Sequence, residues 1–431
     1  MYVRQPIRTD ARILENPPML TPYRTLFAVA ATRRFALAGL LARLPLPMTG
    51  IGIITLLAQL RGSYALAGSV AATFVLAYAL LSPQISRLVD RHGQARVLPI
   101  ATAISVFGMA VLLAAAAWQA SAGMLFAGAV LAGCMPSMSA MVRARWAALY
   151  RGQPQLQTAY SLETVLDEVT FIAGPPLAVG LAVAIDPLAG LFAAAVLLAL
   201  GVAALVVQRG SQPPLQPIDA GNRHGSAIGV ANVRLLALLM VAMGVIVGTV
   251  DITSVAFAAQ RGVPGAASMV LSAYALGSCV AGLAFGAVAL RWPLRRLLLL
   301  GGLATAASTL PLLQVDGIAA LALAVLVAGV FFAPTMIVAM SIVERLVPAH
   351  RLTEGMTWLL AGLNVGVAMG AAAAGQVVDM AGARAGFGVA ATGAAMVVLT
   401  TLWVHQRLPA TPDATPGAAH APAALAAGSD R

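Results

Sequence analysis

Five charged residues stand inside long apolar runs of this 431-residue chain: Arg43, Glu163, Asp167, Glu168 and Asp251. A charge at bilayer depth is expensive, and by default it marks a solute path, an ion relay or a coupling site. Glu163 and Asp167 are four residues apart and share one helix face, whereas the adjacent Asp167 and Glu168 cannot point the same way. Two carboxylates close together in a low dielectric do not both ionise cheaply, so one keeps a proton near neutral pH. A group whose protonation depends on the side it faces is what a proton-coupled exchanger needs. The expectation is therefore that Glu163 or Asp167 is the coupling site and that Arg43 or Asp251 helps to hold a substrate. A rival reading makes Glu163 and Asp167 a structural network, because Glu163 lies only about six residues, roughly 9 Å, into its helix. For Arg43 the rival is snorkelling to the nearer interface.

The elements that must position these residues are membrane helices. Hydrophobic residues make up 60% of the chain and charged residues 10%, against about 25% charged in soluble domains. The mean hydropathy is +0.89. Such a chain cannot cover a water-facing surface with charge, and lipid removes the need. The formal charge of +11 does not point to nucleic acid, because the basic residues are scattered between apolar runs and aromatic residues are only 6%.

A spanning helix needs about 20 apolar residues. That rule gives twelve spans, near 35–60, 65–88, 97–118, 122–147, 157–183, 187–208, 233–259, 265–290, 295–313, 317–343, 353–378 and 383–405. The first run is too long and starts too late for a cleaved signal peptide. The expected organisation is a tail over 1–34, a six-helix bundle over 35–208 and a polar central loop over 209–232. A second six-helix bundle follows over 233–408, then an Ala/Pro/Gly-rich disordered tail over 409–431.

Arginine supplies every basic residue of the Lys/Arg class. With the N-terminus inside, 22 arginines fall on inner segments and 3 (Arg61, Arg261, Arg384) on outer ones. The positive-inside rule then makes both termini cytoplasmic, in agreement with an even span count. The halves also resemble each other. Ala77-Tyr78-Ala79-Leu80 recurs as Ala273-Tyr274-Ala275-Leu276, Arg61-Gly62 as Arg261-Gly262, and Arg91 and Arg96 as Arg291 and Arg296. Duplicated bundles place a solute site between the halves, near the bilayer midplane.

The segment Ser86-Arg87-Leu88-Val89-Asp90-Arg91-His92-Gly93-Gln94-Ala95-Arg96 resembles the loop signature of the major facilitator superfamily, G-x-x-x-D-R-x-G-R-[RK], and it lies between spans two and three as in that family. Asp90, Arg91 and Gly93 match. Ser86 replaces the first glycine, Gln94 and Ala95 replace the basic pair, and Arg96 follows one place later. Gly93 permits a sharp turn, and Asp90 is placed to pair with arginines or cap a helix N-terminus. The resemblance implies an all-α fold of twelve transmembrane helices in two six-helix pseudo-repeats, with Asp90 locking one face of the carrier. Gly174-Pro175, followed by Gly180, resembles part of the antiporter signature of the efflux branch and implies a bend in helix five. The mid-helix-four arginine of the drug-efflux branch is replaced by Cys134-Met135-Pro136. Arg143 and Arg145 after helix four, with Glu344, Arg345, Arg351 and Glu354 after helix ten, form an expected cytoplasmic charge network with Asp90.

No catalytic constellation suggests an enzyme, and no phosphate-binding G-x-x-x-x-G-K-[ST] loop suggests a pump. Cys134 and Cys279 read as small buried residues, and the five histidines lie in loops or at membrane edges, so no cofactor and no metal is expected. The expected function is secondary transport driven by a proton gradient, with export of a small organic or drug-like compound favoured. Proton-coupled uptake of a sugar or other metabolite is the runner-up, and a non-transporting sensor of the same fold is the alternative of another class. The expected partners are a small-molecule substrate, protons and the lipid bilayer of a bacterial inner membrane, with the chain acting as a monomer.

Overall fold

A computed structural model describes residues 21–28, 30–215, 225–263, 265–288 and 292–407. Residues 1–20 of the tail expected over 1–34, the tail expected over 409–431, Arg223 and Arg291 lie outside the described residues. Every regular element described is helical. After a short helix α1 (Thr21–Leu26) come α2 (Ala30–Arg43), α3 (Pro45–Arg61), α4 (Tyr64–His92), α5 (Gln94–Ala117), α6 (Ala122–Ala132), α7 (Met138–Tyr150), α8 (Gln155–Ala184) and α9 (Ala189–Val207). The second half holds α10 (Ala231–Gln260), α11 (Ala266–Ala287), α12 (Leu294–Thr309), α13 (Ile318–Leu346), α14 (Leu352–Ala381) and α15 (Ala383–Arg407).

Eleven stretches among the described residues are long and apolar enough to cross a membrane. The twelve expected spans map onto them with two differences of substance. The first span begins at Ala30, not 35, and is broken at Leu44 into α2 and α3. The fourth span is not one helix over 122–147 but α6 and α7, interrupted at 133–137. Proline causes both interruptions. Pro45 and Pro47 lack the N–H groups that would continue α2, yet Pro45 is tolerated in the first turn of α3. Pro136 stands just before α7. Irregular backbone at membrane depth occurs where it is buried in protein or lines a cavity, so the two breaks point to the site.

The repeat is visible in the turns as well as in the sequence. Gly62 and Gly262 end their helices with φ of +64° and +74°, a left-handed conformation that glycine adopts without steric cost. Within the second half, Gly244 and Gly248 of α10 face Gly362, Gly366 and Gly370 of α14. A Cβ on Gly248 would sit 2.0 Å from the Val367 carbonyl oxygen, and one on Gly366 would sit 2.1 Å from that of Val241. Small residues every fourth position let these backbones touch, which is how helices associate where lipid removes the hydrophobic driving force.

The hydrogen bonds that join the halves cluster toward one end of the molecule. Thr158 donates to the Gly286 carbonyl at 2.8 Å and Gln157 to that of Phe285 at 2.6 Å, so α8 is fastened to the last turns of α11. Ser86 and Thr357 share a hydrogen bond of 2.7 Å between α4 and α14. The Tyr23 hydroxyl reaches from α1 to the Leu283 carbonyl of α11 at 2.7 Å. Arg151 pairs with Glu344 at 2.7 Å. This is the closed end, and it carries the Asp90 loop.

Candidate functional site

The break at Leu44 sets Arg43 in place. Counted from Ala30, Arg43 is about 20 Å along the first span at 1.5 Å per residue, with α3 still to follow. It is 4% exposed. Arg43 is therefore a buried mid-span charge, and the snorkelling alternative does not apply. Its Nε donates to its own helix at the Gly39 carbonyl (3.2 Å). One terminal nitrogen donates to Asp167 Oδ1 at 3.0 Å and to the Glu163 carbonyl at 3.3 Å, and the other pairs with the Glu163 carboxylate. The remaining Glu163 oxygen accepts from Trp146 Nε1 at 2.8 Å. Phe35 packs edge-on against Trp146, with ring centroids 4.6 Å apart.

A second arginine completes the group. Arg143, fully buried on α7, lies 2.8 Å from Asp167 Oδ2. The contact is an ion pair. Arg143 also donates to Thr164 Oγ at 3.3 Å. Ser139, in the first turn of α7, donates to Asp167 Oδ1 at 2.5 Å, so the break in the fourth span delivers a hydroxyl and a positive helix end to that carboxylate. Arg43, Arg143, Glu163 and Asp167 form a quartet of two positive and two negative charges. A small cleft opens beside it, lined by Leu46, Tyr78, Met135, Met138, Ser139 and Phe171 among others.

Glu168 turns the other way. It accepts from Ser278 of α11 at 3.1 Å, across the seam between the halves. Among the described residues no arginine pairs with it, and Asp251 on α10 makes no hydrogen bond or ion pair. The sequence expectation made Glu163 or Asp167 the proton site and set Glu168 apart from Asp167 by adjacency. The structure divides them: the first two are paired with arginines, whereas among the described residues Glu168 and Asp251 have no counter-charge.

At the closed end Asp90 Oδ2 accepts the backbone N–H of Glu354 at 2.9 Å, so a carboxylate of α4 meets the N-terminus of α14. Gly93 makes the turn with φ +86°, and Arg91 and Arg96 are exposed beside it. Gln94, in place of the signature's basic residue, is buried. It donates to the Met141 carbonyl at 3.0 Å and accepts from Arg145 Nε at 2.8 Å.

The expected cytoplasmic network of Arg143, Arg145, Glu344 and Arg345 with Asp90 needs correction. Arg143 and Arg145 do not follow helix four; both are fully buried within α7. Arg143 belongs to the quartet. Arg145 donates to Ser211 Oγ at 2.6 Å and to the carbonyls of Gln208 and Leu205 at 3.1 and 3.0 Å. Glu344 takes Arg151 as its partner.

Helix α8 continues through Gly174, Pro175 and Pro176 to Ala184. Gly174 lets α3 approach, since a Cβ there would sit 2.8 Å from Pro47 Cγ. Sequence reasoning missed Ser139, Trp146, Ser278 and the joining role of Arg143. Tyr78 and Tyr274, both buried, carried a signal in the repeated Ala-Tyr-Ala-Leu.

Comparison with known proteins follows the same division. The Major Facilitator Superfamily model matches residues 35–268 and again 235–429. A bacterial homologue of the iron transporter ferroportin, in an outward-facing state, is similar over 87% of this chain and 99% of its own, with TM-score 0.70 and 16% identity. The E. coli fucose:proton symporter FucP covers 87% and 99% at TM-score 0.63 and 13% identity. The human organic anion transporter MFSD10 covers 90% and 100% at TM-score 0.62 and 17% identity. No curated protein matches the sequence. At these identities the solved structures speak for the fold, and the family model, matching both halves, shows that the chain belongs to the Major Facilitator Superfamily of membrane transporters.

Proposed function

We propose that this transporter exports a small organic compound in exchange for protons, with Glu168 and Asp251 carrying the coupling. The observation that supports this most directly is the contrast between the two sets of carboxylates. Glu163 and Asp167 are each paired with arginine, which supplies a permanent counter-charge. Among the described residues Glu168 and Asp251 lack such a partner, and a carboxylate without one can be neutralised by a proton or a cationic substrate group, but not readily by both. That competition is the basis of exchange. The cleft beside the quartet has room for little more than a water in this state, so an organic substrate would need the site to open; its two methionines, Tyr78 and Phe171 support an apolar substrate body there.

The arginine distribution orients the closed end to the cytoplasm in this reading, with both termini inside a cell membrane and the other face open to the outside. The test is reconstitution into liposomes with an imposed pH gradient and a panel of organic solutes. Flux opposite to the proton gradient is expected, and Glu168→Gln and Asp251→Asn should each lose gradient-driven flux while retaining substrate exchange at equal pH. Undiminished coupling in both variants would refute the assignment, and flux along the proton gradient would replace export by uptake.

A further inference from the structure

The connection between the halves is fastened at both of its ends to the closed gate. Its first end is held by the first half. Arg145 binds Ser211, and Gln212 Oε1 accepts from the Ala95 N–H at 3.4 Å. Leu215 lies against Gly93, whose added Cβ would be 3.8 Å from Leu215 Cδ2. Arg145 is itself oriented by Gln94, inside the loop that carries Asp90. The other end is held by the second half. Glu354, 1% exposed, accepts from the Ser226 hydroxyl, from the Ala227 N–H at 3.1 Å and from Trp358 Nε1 at 3.4 Å, all at Oε1. The backbone N–H of this same Glu354 is the group that Asp90 accepts.

One residue thus joins two contacts that alternating access treats differently. The Asp90 contact must break for the closed end to open, and the Ser226 contact need not. The length of the connection does not restrain the halves: Ser226 is fifteen residue steps beyond Ser211, enough for roughly 50 Å when extended. Any restraint comes from the bonds at its ends. We infer that Glu354 is a positioning residue, which clasps the loop between the halves onto the N-terminus of α14 and thereby holds that N-terminus against Asp90. With the clasp released, the gate opens more often. The inference rests on the alternating-access fold alone and does not require the proton-exchange assignment.

The experiment reads gate opening without substrate. In a background with Cys134 and Cys279 replaced by alanine, Ser161→Cys places a thiol in the α8–α11 seam, fully buried, where a Cβ on Gly286 would be 2.4 Å from it. Full-length protein in nanodiscs is treated with a water-soluble maleimide. A second reporter, Ala194→Cys, buried within the first half, reports general loosening. Glu354→Ala should raise the Ser161→Cys labelling rate roughly tenfold, the scale of a lost charge-assisted hydrogen bond, with the Ala194→Cys rate unchanged. Glu354→Gln keeps an acceptor oxygen without the charge and should label at a rate between the parent and Glu354→Ala. Ser226→Ala, a milder change, should give a few-fold increase and stands in if Glu354→Ala does not fold. Unchanged labelling at Ser161→Cys in both Glu354→Ala and Ser226→Ala overturns the inference. Faster labelling at both reporters also overturns it, because Glu354 would then serve folding and not the gate.

Discussion

Replacing Arg43 with methionine removes one positive charge from the quartet and keeps most of the side-chain volume. In the parent protein Arg43 and Arg143 balance Glu163 and Asp167. In Arg43→Met, Asp167 keeps Arg143 and Ser139, whereas Glu163, 0% exposed, is left with the Trp146 hydrogen bond and no counter-charge. Breaking a buried pair by removing one partner costs about 3–5 kcal/mol, which is roughly two to nearly four powers of ten in the folded population. Arg43→Met should therefore lose much of its thermal stability, as followed by size-exclusion of heated, detergent-solubilised protein. Glu163→Gln leaves Arg43 with Asp167 and should cost less. The informative variant is the double replacement Arg43→Met/Glu163→Gln. It restores neutrality and should recover at least half of the loss, giving a coupling energy of about 2 kcal/mol or more in a double-mutant cycle. Single losses that simply add would refute the quartet as an interacting unit, and a harmless Arg43→Met would refute its burial.

Other perturbations separate structure from coupling. Asp167→Asn should chiefly lower stability through loss of its pairing with Arg143, so folded protein that keeps a pH-driven flux is expected, in contrast to Glu168→Gln; the two are compared in the same liposome assay. Gly248→Val forces a Cβ to within 2.0 Å of a backbone oxygen and should abolish monodisperse protein on size-exclusion, whereas Gly375→Ala in the same helix pair, with open space at its Cβ, should be neutral or slightly stabilising. Gly62→Ala and Gly262→Ala each place a Cβ in a left-handed turn and should each cost about 1–2 kcal/mol, read as similar small falls in thermal stability at the two related turns.

Much of the fold was legible because lipid imposes one rule on every span. Long apolar runs, arginines between them and the Arg61-Gly62 and Arg261-Gly262 repeats led to two bundles without reference to packing. What apolar periodicity could not show was the interruption of a span by a few residues. Leu44-Pro45-Leu46-Pro47 and Cys134-Met135-Pro136 are themselves apolar, so hydropathy runs through them unbroken. Proline was the available signal, and it places Arg43 deeper than a count from residue 35 suggested.

The site was half legible. The spacing of Glu163 and Asp167 correctly put both on one helix face, and adjacency separated Glu168 from Asp167. Which carboxylates acquire arginines depended on Arg143, which sequence placed beyond helix four because charge near a span end usually faces water. Its burial follows from the break that turns α7 into a separate helix packed against α8. Glu354 was expected in a network with Asp90, but sequence did not show that the contact runs through its backbone N–H or that its carboxylate takes Ser226.

The quartet has an electrical consequence. Two arginines and two carboxylates bound to each other move as a unit of zero net charge, so rocking of the first half past the second carries no gating current from them. Each elementary charge that does cross the membrane field is worth about 2.3 kcal/mol per 100 mV. By pairing four deep charges of the first bundle with one another, the chain leaves any voltage sensitivity of transport to charges outside the quartet.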